Sequence, residues 1–225
     1  MDDSFKVHRW GGPVETRPRS DRAFERSGYD PEMTPLKIST EQMIALHGFF
    51  AEAAAVGEQA LGEMTGCDTE VEVQEIRATA LAEFGERGLC LSDDLVASVM
   101  GRLDGRLPGT LSLALEPEDA LLWARLAGGE DPLEAFVALS RTLLEGVSRA
   151  LGELLDGEAR FEGARLVEEP ELAMLVKTHA PSDTIVFSTR LRIDARDEVL
   201  TAVSHMLVEP KYLAQVLSAL SAAHH

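Results

Sequence analysis

The stretch Phe136-Val-Ala-Leu-Ser-Arg-Thr-Leu-Leu-Glu-Gly-Val-Ser-Arg-Ala-Leu-Gly-Glu-Leu-Leu155 decides how the chain is read. Phe136, Ser140, Leu143, Val147, Leu151 and Leu154 recur three or four apart. That spacing predicts a helix whose apolar stripe has one gap, at the serine. Arg141, Glu145, Ser148 and Gly152 follow the same spacing on the opposite side. Glu145 and Ser148 are three apart and are expected to project together from an exposed face. The pattern predicts a central helix from Pro132 to Asp156, and any functional face is expected on it.

Working outward, Gly109-Thr-Leu-Ser-Leu-Ala-Leu115 reads as a strand that runs into Glu116-Pro117 and a helix. Leu95 to Arg102 reads as its hairpin partner, joined around Asp104-Gly105 and Pro108-Gly109. The helix after Pro117 is expected to end near Gly128-Gly129. Downstream, Arg160 to Val167 and Leu172 to Thr178 read as extended. Thr184 to Ile193 and Val199 to Val208 alternate like an antiparallel pair. Glu209-Pro210 then opens a last helix carrying Leu213, Val216, Leu217 and Leu220.

A second long helix is predicted from Ser39 or Thr40, either of which can cap it, to Thr65, with Gly66 as its stop. Its buried side is read as Met43, Leu46, Phe50, Ala54, Leu61 and Met64. Val71, Val73 and Ile76 suggest a strand, while 78–93 reads as a short helix with an irregular connection.

The two halves repeat. Glu116-Pro117 and Glu209-Pro210 are separated by 93 residues, and the same offset carries the first long helix onto the central one. Leu46 falls on Leu139, Leu61 on Leu154, and Glu52 on Glu145. The expected fold is therefore α+β: an internal pseudo-twofold repeat with an antiparallel sheet and two long helices packed on it.

Composition bounds the function. The 225 residues are 45% hydrophobic and carry a net charge of −18, which argues against nucleic-acid binding and anionic membranes. No apolar run reaches the roughly 18 residues of a membrane span, and the N-terminus lacks a signal-peptide core, so a cytoplasmic location without membrane insertion is expected. Residues 1–36 are polar and broken by Gly and Pro, and are expected to form a mobile segment, with Trp10 or Phe24 as candidate docking anchors. Residues 37–225 are expected to form a single domain. Cys67 and Cys90 lack CxxC spacing and read as buried thiols. The histidines are scattered, so no metal site is expected, and no Gly-x-Ser-x-Gly elbow occurs.

The strand and helix Gly109-Thr-Leu-Ser-Leu-Ala-Leu-Glu-Pro-Glu-Asp-Ala120, with the central helix following it, resembles the CheC, CheX and FliM-middle-domain family of chemotaxis and flagellar-switch proteins. The resemblance covers residues 38 to 222. It implies a protein-interaction role in motility signalling, with a CheY-like response regulator or a flagellar-switch component as partner. A homodimer is compatible with it. Family phosphatases carry Glu-x-x-Asn on this helix, usually preceded by Asp or Ser four residues before the Glu. The asparagine amide orients a water against the regulator's aspartyl phosphate, and the acid fixes the pose. Here the stretch reads Arg141-Thr-Leu-Leu-Glu145-Gly-Val-Ser148, and the repeat counterpart is Glu52 with Ala55. Pro170 lies 22 residues beyond Ser148, near the family's proline.

Serine is shorter than asparagine and has no amide. The resemblance thus implies a non-catalytic or nearly non-catalytic module, the alternative being a weak phosphatase of a phosphorylated regulator. Glu145 and Ser148 are the degenerate catalytic positions. Arg141, Glu145, Ser148 and Glu52 are the candidate partner-binding residues. Glu145 can equally be a solvated glutamate paired with Arg141 or Arg149. No cofactor is implied, since any Mg²⁺ would belong to the regulator.

Overall fold

The computed structural model describes residues 38–92, 94–128, 130–176 and 178–223. The expected 1–36 segment lies outside the described residues. Helix α1 (Thr40–Thr65) starts at Ser39, whose hydroxyl accepts from the Gln42 N–H while the Gln42 side chain accepts from the Ser39 N–H. Such a capping box contributes about 1 kcal/mol. Gly66 ends the helix in the left-handed conformation at φ 65°. Strand β1 (Thr69–Ala80) leads through a 3₁₀ turn (Leu81–Glu83) into the one-turn α2 (Phe84–Arg87). Next come the hairpin β2 (Val96–Gly105) and β3 (Gly109–Leu115), then α3 (Pro117–Leu126) and α4 (Pro132–Leu154). The chain closes with β4 (Ala159–Glu169), α5 (Glu171–Val176), the hairpin β5 (Ile185–Ala195) and β6 (Glu198–Val208), and α6 (Pro210–Ala223).

The six strands form one antiparallel sheet in the order β1-β5-β6-β3-β2-β4. Exchanging β1 with β4, β2 with β5 and β3 with β6 reverses that order into itself. The repeat read from the 93-residue offset is thus built into the strand order, and the seam between the halves is the β3–β6 pair. In its register Ser112 faces His205. These two positions are themselves 93 apart, so the seam is centred on them.

One sheet face carries Val99, Leu111, Leu113, Phe187, Met206 and their neighbours, and on it pack α1, α3, α4 and α6. The Ser140 gap in the α4 stripe is filled by a hydrogen bond: the buried Trp123 Nε1–H of α3 donates to Ser140 Oγ at 3.2 Å. The other face carries a smaller cluster, Leu81, Phe84, Met100, Met174, Leu175, Val186 and Leu207.

Three expectations change. Leu172 to Thr178 is not extended: 171–176 is the short helix α5, begun where the Met174 N–H donates to the Pro170 carbonyl. Leu172, Met174 and Val176 mimic strand alternation, yet Met174 and Leu175 are buried while Leu172 and Val176 are exposed. Strand β1 runs past Ile76 to Ala80, with a register shift between Val73 and Glu75 that hides its alternation. Met64 is exposed, whereas Phe49, Ala53 and Gly57 join the buried side of α1.

Helices α1 and α4 meet through small residues. A Cβ on Gly146 would lie 2.8 Å from the Gly57 nitrogen and 2.9 Å from its Cα, and one on Gly57 would strike Leu143. Gly146→Ala is therefore expected to lower stability by about 1–3 kcal/mol in urea unfolding, despite alanine's higher helix propensity. Gly62→Ala is the control, because its Cβ would make only an ordinary 3.5 Å contact with the Cys67 carbonyl. It should leave stability unchanged or raise it by up to about 1 kcal/mol.

Candidate functional site

The sequence places four candidate residues on the two long helices. The structure pairs two of them, Arg141 and Glu145, buries Ser148, and leaves Glu52 exposed on the other helix. Arg141 Nε donates to Glu145 Oε1 at 2.7 Å, one helical turn away. Both side chains are largely in water, 57% and 43% exposed, so the pair contributes only about 0.3–0.5 kcal/mol. Glu52 is exposed on α1, and no hydrogen bond joins it to the α4 residues.

Ser148 differs from its expected placement. It is 5% exposed, and its hydroxyl donates to the Glu145 carbonyl of its own helix at 2.9 Å. A serine can satisfy itself against the preceding turn in this way, and so sit in a buried position without a distant partner. The Glu145 side chain and the Ser148 hydroxyl therefore do not form a joint polar pair facing solvent. What Glu145 offers at this point is a carboxylate paired with Arg141, without the Ser148 hydroxyl beside it.

A second polar feature lies at the end of α1. Cys67 is half-buried rather than buried. Its sulfur lies 3.0 Å from the Thr65 hydroxyl and 3.9 Å from that of Thr69. The Thr65 hydrogen bond is the main cause holding the thiol below its ordinary pKa, with Thr69 and Arg196 adding to it against desolvation. Arg196 reaches the spot from the β5–β6 turn, where it also donates to the Thr65 carbonyl at 3.0 Å. The cleft beside it, of about 540 Å³, is open and lined by Asp68, Glu70, Asp194 and Asp197 among others. Threonines two residues either side of Cys67 were the only sequence trace of this environment.

Among the described residues, no three His, Cys, Asp or Glu side chains converge as a metal site. No described helix is long and apolar enough to cross a membrane.

Comparison with known proteins agrees with the fold. No protein-family model matches the sequence, and no curated protein matches it. Solved structures do. FliY from Thermotoga maritima is 12% identical and superposes with a TM-score of 0.64 over 83% of this chain and 98% of that one. The FliM middle domain from H. pylori is 11% identical, with a TM-score of 0.56 over 81% of this chain and 99% of that one. A chain of the FliG–FliM complex from H. pylori is 15% identical, with a TM-score of 0.55 over 80% of this chain and all (100%) of the matched chain. At these identities the likeness establishes the fold: an α+β domain of the FliM-middle-domain type.

Glu116, at the start of α3, has its carboxyl held above the usual range, first by burial and then by the nearby charges of Glu171, Asp119 and Asp94. Its side chain makes no capping hydrogen bond to α3. A carboxyl with a raised folded-state pKa costs stability only where the unfolded chain would already have released the proton. Glu116→Gln should therefore raise stability at pH 7. The gain should shrink as pH falls and vanish below the unfolded carboxylate pKa of about 4.3. Denaturant midpoints of both proteins from pH 3 to 8 measure this, and a gain that grew toward acid would contradict it.

Proposed function

We propose that this domain is a non-catalytic protein-interaction module of the CheC/CheX/FliM type, acting in the cytoplasm in chemotaxis or motility signalling. The observation that carries the non-catalytic reading is the Ser148 hydroxyl, buried and bound to the Glu145 carbonyl. A phosphatase of this fold needs a side chain that reaches out and orients water at another protein's phosphate. Ser148 is too short and faces its own helix. Its repeat counterpart Ala55 has no polar atom. The surface left for recognition is the solvent face of α1 and α4, with Glu52, Arg141 and Glu145.

Two partner classes fit the reading. One is a CheY-like response regulator, for which Glu145 would supply a carboxylate to a lysine. The other is a flagellar-switch component, as the FliG–FliM complex of H. pylori illustrates for a protein of the same fold. The −18 net charge favours a basic complementary surface on either. Residues 37–225 are taken as the interacting domain.

The test uses the full chain, a phosphorylated CheY-type regulator and a FliG-type switch protein. Binding to at least one is expected, weakened by reversing Arg141 and Glu145 to Glu and Arg. Regulator phosphate should decay at its intrinsic rate with wild type. Ser148→Asn should accelerate it by less than about tenfold, equivalent to ~1.4 kcal/mol of barrier, because position 148 is buried. Larger acceleration by wild type, abolished by Glu145→Ala, would establish the weak-phosphatase alternative instead. Binding to neither partner would overturn the interaction reading.

A further inference from the structure

The second face of the sheet holds a buried polar network that the proposed function does not use. Met100, Ser112, His205 and Ser188 form one row across β2, β3, β6 and β5. His205 stands in the middle of that row, fully buried (0% exposed) on a central strand. Its Nδ1 lies 3.2 Å from Ser188 Oγ, and its Nε2 lies 3.1 Å from Glu171 Oε1. The other carboxylate oxygen of Glu171 accepts from the Leu91 N–H at 2.6 Å. The Phe84 ring meets the imidazole edge-on, with centroids 5.3 Å apart.

These contacts come from both halves of the repeat. Phe84 and Leu91 belong to the connection between β1 and β2, and Glu171 to the connection between β4 and β5. Under the exchange of halves these connections are counterparts, and each covers the second face. One carboxylate therefore ties both of them to the seam of the sheet. Their other attachments include the small apolar cluster around Phe84, Met174 and Leu175, the buried Leu89, and two backbone bonds at the base, from Leu81 N to Thr184 O and from Ala82 N to Ser182 O. The helical pieces are short, and Leu172 and Val176 on the outer side are exposed. By contrast α1 and α4 are long and share the main core. Segments with little buried area open at lower free energy than the core that carries them.

We propose that residues 81–92 and 171–176 form a single cooperative cap, coupled through Glu171, that lifts from the sheet as a unit below the free energy of global unfolding. Opening uncovers Phe84, Met100, Met174, Val186 and Leu207 on the face remote from α1 and α4. Glu171 is a coupling residue. Without it, Leu91 loses its acceptor and His205 loses its Nε2 partner, so the Glu171 side chain no longer links the two connections to each other and to the seam.

Native-state hydrogen exchange on the full chain tests this. In wild type under sub-denaturing urea, the slowest amides of 81–92 and of 171–176 should converge on one shared opening free energy, lower than that of α1 and α4. Two distinct values, or a value equal to global unfolding, would overturn the proposal. In Glu171→Ala, amides of both segments should exchange on the order of tenfold faster or more, while α1, α4 and the strands keep their protection. Acceleration confined to 171–176, a uniform rise across the domain, or no change would each overturn it. Because the wild-type measurement needs no variant, the proposal stays testable if Glu171→Ala does not fold.

Discussion

At the crossing of α1 and α4, a Cβ on Gly146 would come within 2.9 Å of the Gly57 Cα and 3.1 Å of the Ala53 carbonyl. The helix backbones meet there without side chains between them. That approach lets both helices lie low on one sheet face, where Phe50 reaches Phe187 with ring centroids 6.5 Å apart. Under the 93-residue offset, Ala53 corresponds to Gly146 and Gly57 to Ala150, so both halves supply the same class of small residue to the contact. The main core, the placement of α3 and α6 beside the long helices, and the orientation of the candidate face all rest on this distance. Interiors packed this densely do not absorb an extra methyl without moving a backbone.

The same crossing bears on the chemistry. Ser148 lies between Gly146 and Ala150 on the sequence that makes the contact, and it is buried with them. A hydroxyl there is satisfied by the preceding turn and leaves the Glu145 side chain to Arg141. The solvent face of α4 is thus left with charged side chains that stay hydrated, and under the proposed function these would favour orientation and association rate over tight burial.

Much of the fold was legible in the sequence because long periodic elements carry their own signal. The helices at 39–65 and 132–156, the Glu-Pro helix starts and the β2–β3 turn each combine a period with a start or stop residue. The 93-residue offset then gave the pairing of the halves. Legibility failed where residue type and environment part company. Ser140 and Ser148 are polar but buried, one accepting from Trp123 and the other donating to its own helix. Leu172, Met174 and Val176 imitate a strand over a stretch too short for period to decide. Of the candidate site, the Arg141–Glu145 pair followed from i,i+4 spacing, whereas the burial of Ser148 did not. The Glu171–His205 contact joins residues 34 apart that share no motif, and it forms only because the β4–β5 connection folds back over the second face of the sheet.

The seam between β3 and β6 carries a further consequence. Ser112 and His205 occupy matching places in the two halves and face each other in the register. An assembly of two identical half-chains would be forced to put the same side chain at both places. Two histidines would face each other across the seam, each with its own copy of the glutamate; two serines would leave both carboxylates without an imidazole. Joining the halves in one polypeptide removes that symmetry restriction and permits a single histidine bonded to a single glutamate at the seam.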